Sequence, residues 1–385
     1  TKMRVVHVED RFEPNAGYQI NELIKEQVKL GYDIEIITST IPIFSSYEQL
    51  RKDDEIYFNK YGVKIIRIKP MFIISSRYYF KGLFKLIDSK IPDIVFLHGI
   101  ADFKDLVLFQ KRKNYLIFRD CHMSWTASQN RFSHIFATLF SYTFAKIINN
   151  NHKYKKIYSL GTEEEQYLEY IGVKKSLIKK IPHGYNSNEM YYSKEARDNL
   201  RRFYNIGEKE CLIGYVGKLD FAKRPDLLFD IFEMIEEEVM SNVSILFVGN
   251  FEEKYKKIFY KKYETFRYKE KCIFMVAQKY SELYKVYSTL DICFWPRQTT
   301  LSSIHAQVCR TLPVMELHES NKERVYNDRY LFEKEDMEKA REKLLLAIKT
   351  FRDVDFSSMQ VFLSQRDYIK TVKKIDSDWK RYLAE

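Results

Sequence analysis

The stretch "IGYVGKLDFAKRPDLL" joins a short apolar run, through Gly217, to three cations: Lys218, Lys223 and Arg224. A loop that leaves a strand at a glycine and feeds a helix turns backbone N–H groups toward one point. Fixed cations beside it suit a phosphate. Taken alone, such cations are more simply solvated surface bases. Further on, "PRQTTLSSIHAQVCRTLPVM" gathers the hydrogen-bonding residues Gln298, Ser302, Ser303 and His305, with no Asp or Glu from Pro296 to Met315. In the N-terminal half, "VFLHG" sets His98 at the end of an apolar run, and "FRDCHMSW" sets Asp120 and His122 at the end of another. A histidine beside an acid can move a proton or hold a hydroxyl, although a lone histidine is more often structural.

The elements that must position these residues read as alternating strands and helices. "MRVVHV" is a buried strand, and "NAGYQINELIKEQVKLGY" has its apolar residues at helical spacing and ends at Gly31. "DIEIITS" is the next strand, which completes a βαβ start. "VKIIRIK", "DIVFLHG", "NYLIFRD", "KKIYSLG" and "LIKKIPHGY" continue as strands with helical stretches between them. "TEEEQYLEYIG" is a helix whose Thr162 and Glu165 have capping-box spacing. After a polar stretch the alternation resumes with "CLIGYVGKL", "VSILFVGN", "CIFMVAQ" and "ICFWP". Two α/β domains follow, expected at 1–187 and 210–357, with a linker at 188–209 and a C-terminal helix at 358–385. In open parallel sheets ligands sit outside the carboxyl ends of the strands, which is where His98, Asp120 and Gly217 fall.

At 385 residues, with 45% hydrophobic and 30% charged residues, the chain has the profile of a two-domain globular protein, not a disordered one. No uncharged apolar run reaches 18 residues, so no transmembrane helix is expected. No apolar leader precedes Met3, so no secretory signal is expected. The five cysteines are scattered and form no C-x-x-C pair, which argues against a disulfide framework or a zinc site and for a reducing, cytoplasmic compartment. The net charge of +11 favours polyanionic partners without choosing among them.

Four stretches in order resemble the group-1 retaining glycosyltransferases of the GT-B fold. "EPNAGYQINELIKEQVKLGYDIEIIT" resembles their N-terminal glycine loop and helix, and "IPHGYNSNEMY" their I-P-N-G-V-D segment. "IGYVGKLDFAKRPDLLFDIF" resembles G-R-L-x-x-x-K-G-x-D-x-L, and "VCRTLPVMELHESNKERVYNDRYLFEKEDMEKAREKL" the segment that begins A-x-G-x-P-V-I. The resemblance implies two Rossmann-like doubly wound domains facing a central cleft, with the C-terminal helix crossing back to the first domain. The first domain would bind the acceptor and the second a nucleotide-sugar donor.

It also implies metal-independent transfer of a hexosyl or related group with retention, in polysaccharide or glycoconjugate synthesis, with the nucleotide sugar as substrate and no further cofactor. Lys218 and Lys223 fall on the family's basic pair, where fixed cations stabilise charge on the departing diphosphate. Lys218 stands where the family has Arg, so its grip lacks the bidentate fork. Gly17 would let backbone approach the donor, Arg224 would join the clamp, and His98, Asp120 or His122 would meet the transferred sugar or the attacking hydroxyl. Trp125 would stack on a sugar or fill core.

The family's E-x7-E, counted back from Pro313, falls on Gln298 and Ala306, neither of them acidic. Gln298, Ser302, Ser303 and His305 would bond a ribose diol more weakly than carboxylates do. Glu323 is an acid near this end that would contact the donor. Because the diphosphate can itself act as base, a rewired donor pocket is expected. The alternative is a catalytically inactive GT-B partner subunit. An epimerase fits the donor loop less well, and no nucleic-acid motif is recognisable. The basic-aromatic stretches at 77–90 and 253–271 read as helices with solvated basic faces. A sharper reading has the first docking on an anionic membrane, with the protein peripheral on its inner face, near a lipid-linked acceptor.

Overall fold

The computed structural model describes residues 2–111, 114–123 and 131–385. The chain forms two compact units, one of Thr1–His183 with Tyr368–Glu385 and one of Gly184–Asp367. Fifteen strands run in chain order through the described residues. In the first unit they are β1 (Arg4–Val8), β2 (Asp33–Ser39), β3 (Lys64–Ile68), β4 (Phe72–Ile74), β5 (Arg77–Tyr79), β6 (Ile94–Leu97), β7 (Leu116–Cys121), β8 (Tyr154–Ser159) and β9 (Ile178–Lys180). In the second they are β10 (Cys211–Val216), β11 (Val243–Val248), β12 (Cys272–Met275), β13 (Ile292–Trp295), β14 (Leu312–Glu316) and β15 (Leu331–Phe332).

The first unit holds a seven-stranded sheet in the order β3-β2-β1-β6-β7-β8-β9, and the second a six-stranded sheet in the order β12-β11-β10-β13-β14-β15. Every pairing in both is parallel. Their strands are apolar runs because helices cover both faces. Each sheet winds outward from its first strand and then restarts on the other side, so the order reverses between β1 and β6 and again between β10 and β13. Those two switch points are where a doubly wound fold opens a ligand crevice.

The helix Gln19–Lys29 follows Gly17, whose φ of 70° favours glycine. The C-terminal helix Tyr368–Ala384 belongs to the first unit and packs on Gln19–Lys29. It buries Tyr368, Val372, Ile375 and Trp379 along one stripe, and Trp379 is wholly enclosed beside Phe96 and Phe118. No helix of the described residues is long and apolar enough to cross a membrane.

Three local expectations are corrected. Within 188–209, read as linker, the chain forms the helix Lys194–Phe203, capped by Ser193. Its polar composition hides anchors: Arg197 and Arg201 reach the buried Asp291 carboxylate at 2.7 and 3.2 Å. The helix after Gly161 begins at Thr162, and the Thr162 hydroxyl accepts from Lys180 at 2.8 Å, so the capping box is not formed there. In 77–90, read as a helix with a solvated basic face, Arg77–Tyr79 is a strand and the helix is only Leu83–Ser89, with Tyr78, Phe80, Leu83 and Ile87 in the core.

Candidate functional site

At the switch point of the first unit the strands deliver polar side chains onto one another. Nδ1 of His98, just past β6, lies 2.6 Å from Asp120 Oδ2 on β7, and Gly99 N–H donates to Asp120 Oδ1 at 2.7 Å. Nε2 of His122 lies 3.1 Å from the same Oδ2. Behind them Nε2 of His98 lies 2.9 Å from Nδ1 of His7, and Nε2 of His7 lies 2.8 Å from the Gln27 amide. Gln27 Nε2 has no other partner. With the amide turned so that this nitrogen donates, every donor in the chain from Gln27 through His7 and His98 points toward Asp120.

Burial pushes the Asp120 carboxyl up, but His122 and His98 outweigh it and hold it well below the carboxylate range. Burial lowers His122, and Asp120 more than restores it, to about 9, with water screening part of that rise because the side chain is 44% exposed. Burial first, and then the charge of His98, lower His7 to about 3. The ligating atoms of His98, Asp120 and His122 lie within 4.8 Å of one another, a donor set that could hold a cation. As arranged, one carboxylate oxygen instead accepts from both rings.

Beside this chain lies a buried ionic cluster. Lys104 Nζ bonds Asp10 at 2.7 Å and Asp102 at 2.8 Å. Arg119 bonds Asp102 at 2.9 Å, pairs with Asp105, and donates to the carbonyls of Leu97 and Gly99. Burial raises Asp10 to about 6 against the pull of Lys104. It is only 20% exposed, and it can exchange a proton near neutrality.

At the switch point of the second unit the polar side chains hold backbone. β10 is followed by Gly217, with φ 149°, and β11 by Gly249, with φ 152°. A Cβ at Gly249 would stand 1.8 Å from the Gly217 carbonyl oxygen, so only glycine lets these two turns pass. Past β13, Gln298 adopts a left-handed φ of 63°. Its N–H donates to Glu316 Oε1 at 2.5 Å, and its carbonyl accepts from Asn321 at 3.2 Å. The carbonyl of Thr299 accepts from Lys223 Nζ, and that of Thr300 from Arg324 at 3.4 Å.

Burial pushes Glu316 up, but hydrogen bonds from His318 and from the N–H groups of Glu335 and Gln298 hold it below the usual range. Burial lowers the Lys223 ammonium, against the pull of Asp220. With these carbonyls engaged, the loop 297–300 is set in one conformation against Lys223 and Arg324.

The sequence profile described as "Glycosyl transferases group 1" matches residues 196–351, which include Lys218, Lys223 and the whole loop just described. Residues 196–351 are a group 1 glycosyltransferase domain.

A search of curated proteins finds no match to the chain. Similar solved structures include Anabaena Alr3699/HepE in complex with UDP, at 13% identity and a TM-score of 0.74 over 98% of this chain and 100% of that one. A glycosyltransferase from Rickettsia africae ESF-5 aligns at 14% identity and 0.75 over 99% of both chains. Sucrose-phosphate synthase from Thermosynechococcus elongatus aligns at 14% and 0.72 over 100% of both. At such identities the likeness shows the fold, GT-B with two Rossmann-like domains.

Within the glycosyltransferase domain, Gly217 and Lys218 follow β10, Gln298 follows β13, and Lys223 bonds the Thr299 carbonyl of the loop after β13, while Ser302 begins the next helix and its N–H donates to the Thr300 hydroxyl. Three expected donor contacts lie elsewhere. Arg224 spends its guanidinium on Asp226, two bonds of 2.9 Å, with Lys262 and Tyr255 completing that carboxylate's shell. Ser303 is fully buried and bonds the Thr300 carbonyl. His305 is lowered to about 4 by burial, which its hydrogen bond with the Gly184 backbone only partly offsets. Glu323 is half-buried on the helix Glu319–Arg324, and Ala306 is wholly in the core. In the first unit His98, Asp120 and His122 are brought together, Gly17 sits in the loop before its helix, and Trp125 lies outside the described residues. Sequence reasoning missed Glu316, which follows the quoted stretch by one residue, and also His7, Gln27 and Asp10. A histidine inside the otherwise apolar run "RVVHV" was the available signal.

Proposed function

We propose that the protein transfers a hexosyl or related group from a nucleoside-diphosphate sugar to a glycan or lipid-linked acceptor, with retention and without a metal ion. The observation that carries this reading is the loop 297–300, fixed through the Gln298 N–H and the carbonyls of Gln298, Thr299 and Thr300 and bonded to Lys223, inside the matched domain. Lys218 and the outward backbone hold the diphosphate, and Lys223 supports the loop and lends it charge. The acceptor hydroxyl bonds to the anomeric carbon on the face the diphosphate leaves. The carbon–oxygen bond to phosphate breaks, the diphosphate keeps the electron pair, and it takes the hydroxyl proton. Asp120, with His98 and His122, orients sugar or acceptor hydroxyls. The work belongs to surface glycan synthesis on the inner face of a membrane.

UDP is the first probe, since Anabaena Alr3699/HepE has been crystallised with UDP and with UDP-glucose. UDP should raise the melting temperature, and Lys223→Ala should remove that shift and lower transfer by about 100-fold. Transfer should survive EDTA, and NMR of the product should show the donor's anomeric configuration. A Lys223→Ala protein that binds and transfers normally would remove the assignment. The non-acidic Gln298 and the buried Ala306 favour one other reading, an inactive partner subunit. UDP binding with neither transfer nor donor hydrolysis would select it.

A further inference from the structure

We propose that one face of the first unit docks on an anionic lipid surface, through the hairpin β4–β5 and the helix Ser133–Tyr142. The hairpin turns through Ser75 and Ser76, both left-handed at φ 46° and 63°, and carries Ile73 and Ile74 outward, 43% and 58% exposed. The helix exposes Ile135, Leu139 and Tyr142 at 60%, 62% and 69%, spaced i, i+4, i+7 along one stripe. The two elements are joined: the Arg77 guanidinium of β5 lies 4.5 Å from the centre of the Phe136 ring. A stripe and a hairpin tip in one packed group form a patch of the kind that marks an interaction site.

Charge chooses the partner. From Ile56 to Ile87 the sequence has no acid, and from Leu106 to Thr162 the one acid is Asp120, which is buried. Over the same spans Lys85, Arg131 and Lys146 are exposed, and Lys146 Nζ lies 5.4 Å over the Tyr142 ring. Cations around an apolar stripe suit anionic headgroups, which attract the charge while the apolar tips enter the interface. A second copy of the chain would bring Lys85, Arg131 and Lys146 of two faces toward one another, which like charge opposes. The surface deepens the membrane-facing part of the function proposed above and rests on it only for the acceptor that would wait there.

Flotation of the full chain with vesicles tests this. The protein should bind vesicles of equimolar phosphatidylcholine and phosphatidylglycerol, not phosphatidylcholine alone, and salt should weaken binding. Ile135→Ser with Leu139→Ser should lower the bound fraction about 10-fold. Ile73→Ser with Ile74→Ser, on the other element, should do the same and covers the case in which the helix variant misfolds. A UDP-induced melting shift retained in both variants shows that their loss of binding is not global unfolding. No binding to anionic vesicles overturns the proposal, as does equal binding by variants of both elements. A dimer that both variants dissociate, with no vesicle binding by the parent, assigns the face to a second copy and overturns it too. Vesicle binding without any UDP shift would leave this surface standing and remove the transferase reading.

Discussion

At the switch point of the first unit polar side chains bind one another, while at that of the second they bind backbone. His7, His98, Asp120 and His122 form one chain, with Arg119, Lys104 and three aspartates beside it. There the charges are side-chain charges, and several titrate. In the second unit Lys223, Arg324, Asn321 and Glu316 fix the amide groups of one loop, and what remains to face a ligand is largely peptide dipole. The first arrangement suits handling protons and hydroxyls. The second suits a fixed anion that must be held without a change of protonation.

The comparison breaks most visibly if Arg119 is replaced. Arg119→Met leaves Asp105 without its buried cation and Asp102 with Lys104 alone, and should destabilise the first unit by about 3–5 kcal/mol. Hydrogen exchange should speed up in peptides of β6 and β7 and leave those of β10 and β13 unchanged. In the second unit the sensitive point is backbone. Gly249→Ala should cost about 1–3 kcal/mol in strain, displace Gly217 and abolish the UDP shift.

Acid affects both units alike. His7, at about 3, and His305, at about 4, titrate lower in the fold than in the unfolded chain. Their stabilisation is therefore whole above the unfolded value near 6.5 and falls below it, by at most about 1.4 kcal/mol per pH unit for each. Alkali separates the units, and this effect is the smallest. His122 titrates higher in the fold, at about 9, so its contribution is whole below 6.5 and is lost as pH rises through 9. Allowing for its exposure, the loss stays under about 1 kcal/mol. His122→Gln should flatten this alkaline limb of the first unit, measured by exchange from pH 6 to 10, and leave the acid limb in place.

The fold was legible because strands buried on both faces read as apolar runs, and the strand–helix alternation dictates parallel sheets. The site was legible only in part. Glycines and cations at strand ends can be placed from pattern, as Gly217 and Lys218 were. Pattern does not say which partner a polar side chain will find. Arg224 looks no different from Lys223 in sequence, yet it turns to Asp226 because Tyr255 and Lys262, about thirty residues on, complete a buried carboxylate there. Glu316 looks like the polar end of a strand, and only the return of the chain shows that it grips Gln298. The helix Lys194–Phe203 was hidden for the same reason, since its arginines are spent on the distant Asp291.

The return of residues 368–384 to the first unit sets an order on its making. A ribosome releases the sheet β1 to β9 well before it releases Trp379, the indole that seals Phe96 and Phe118. The second unit is one unbroken segment and can finish in that interval. The nascent first unit therefore keeps an unsealed aromatic face until residues 368–384 emerge and close it.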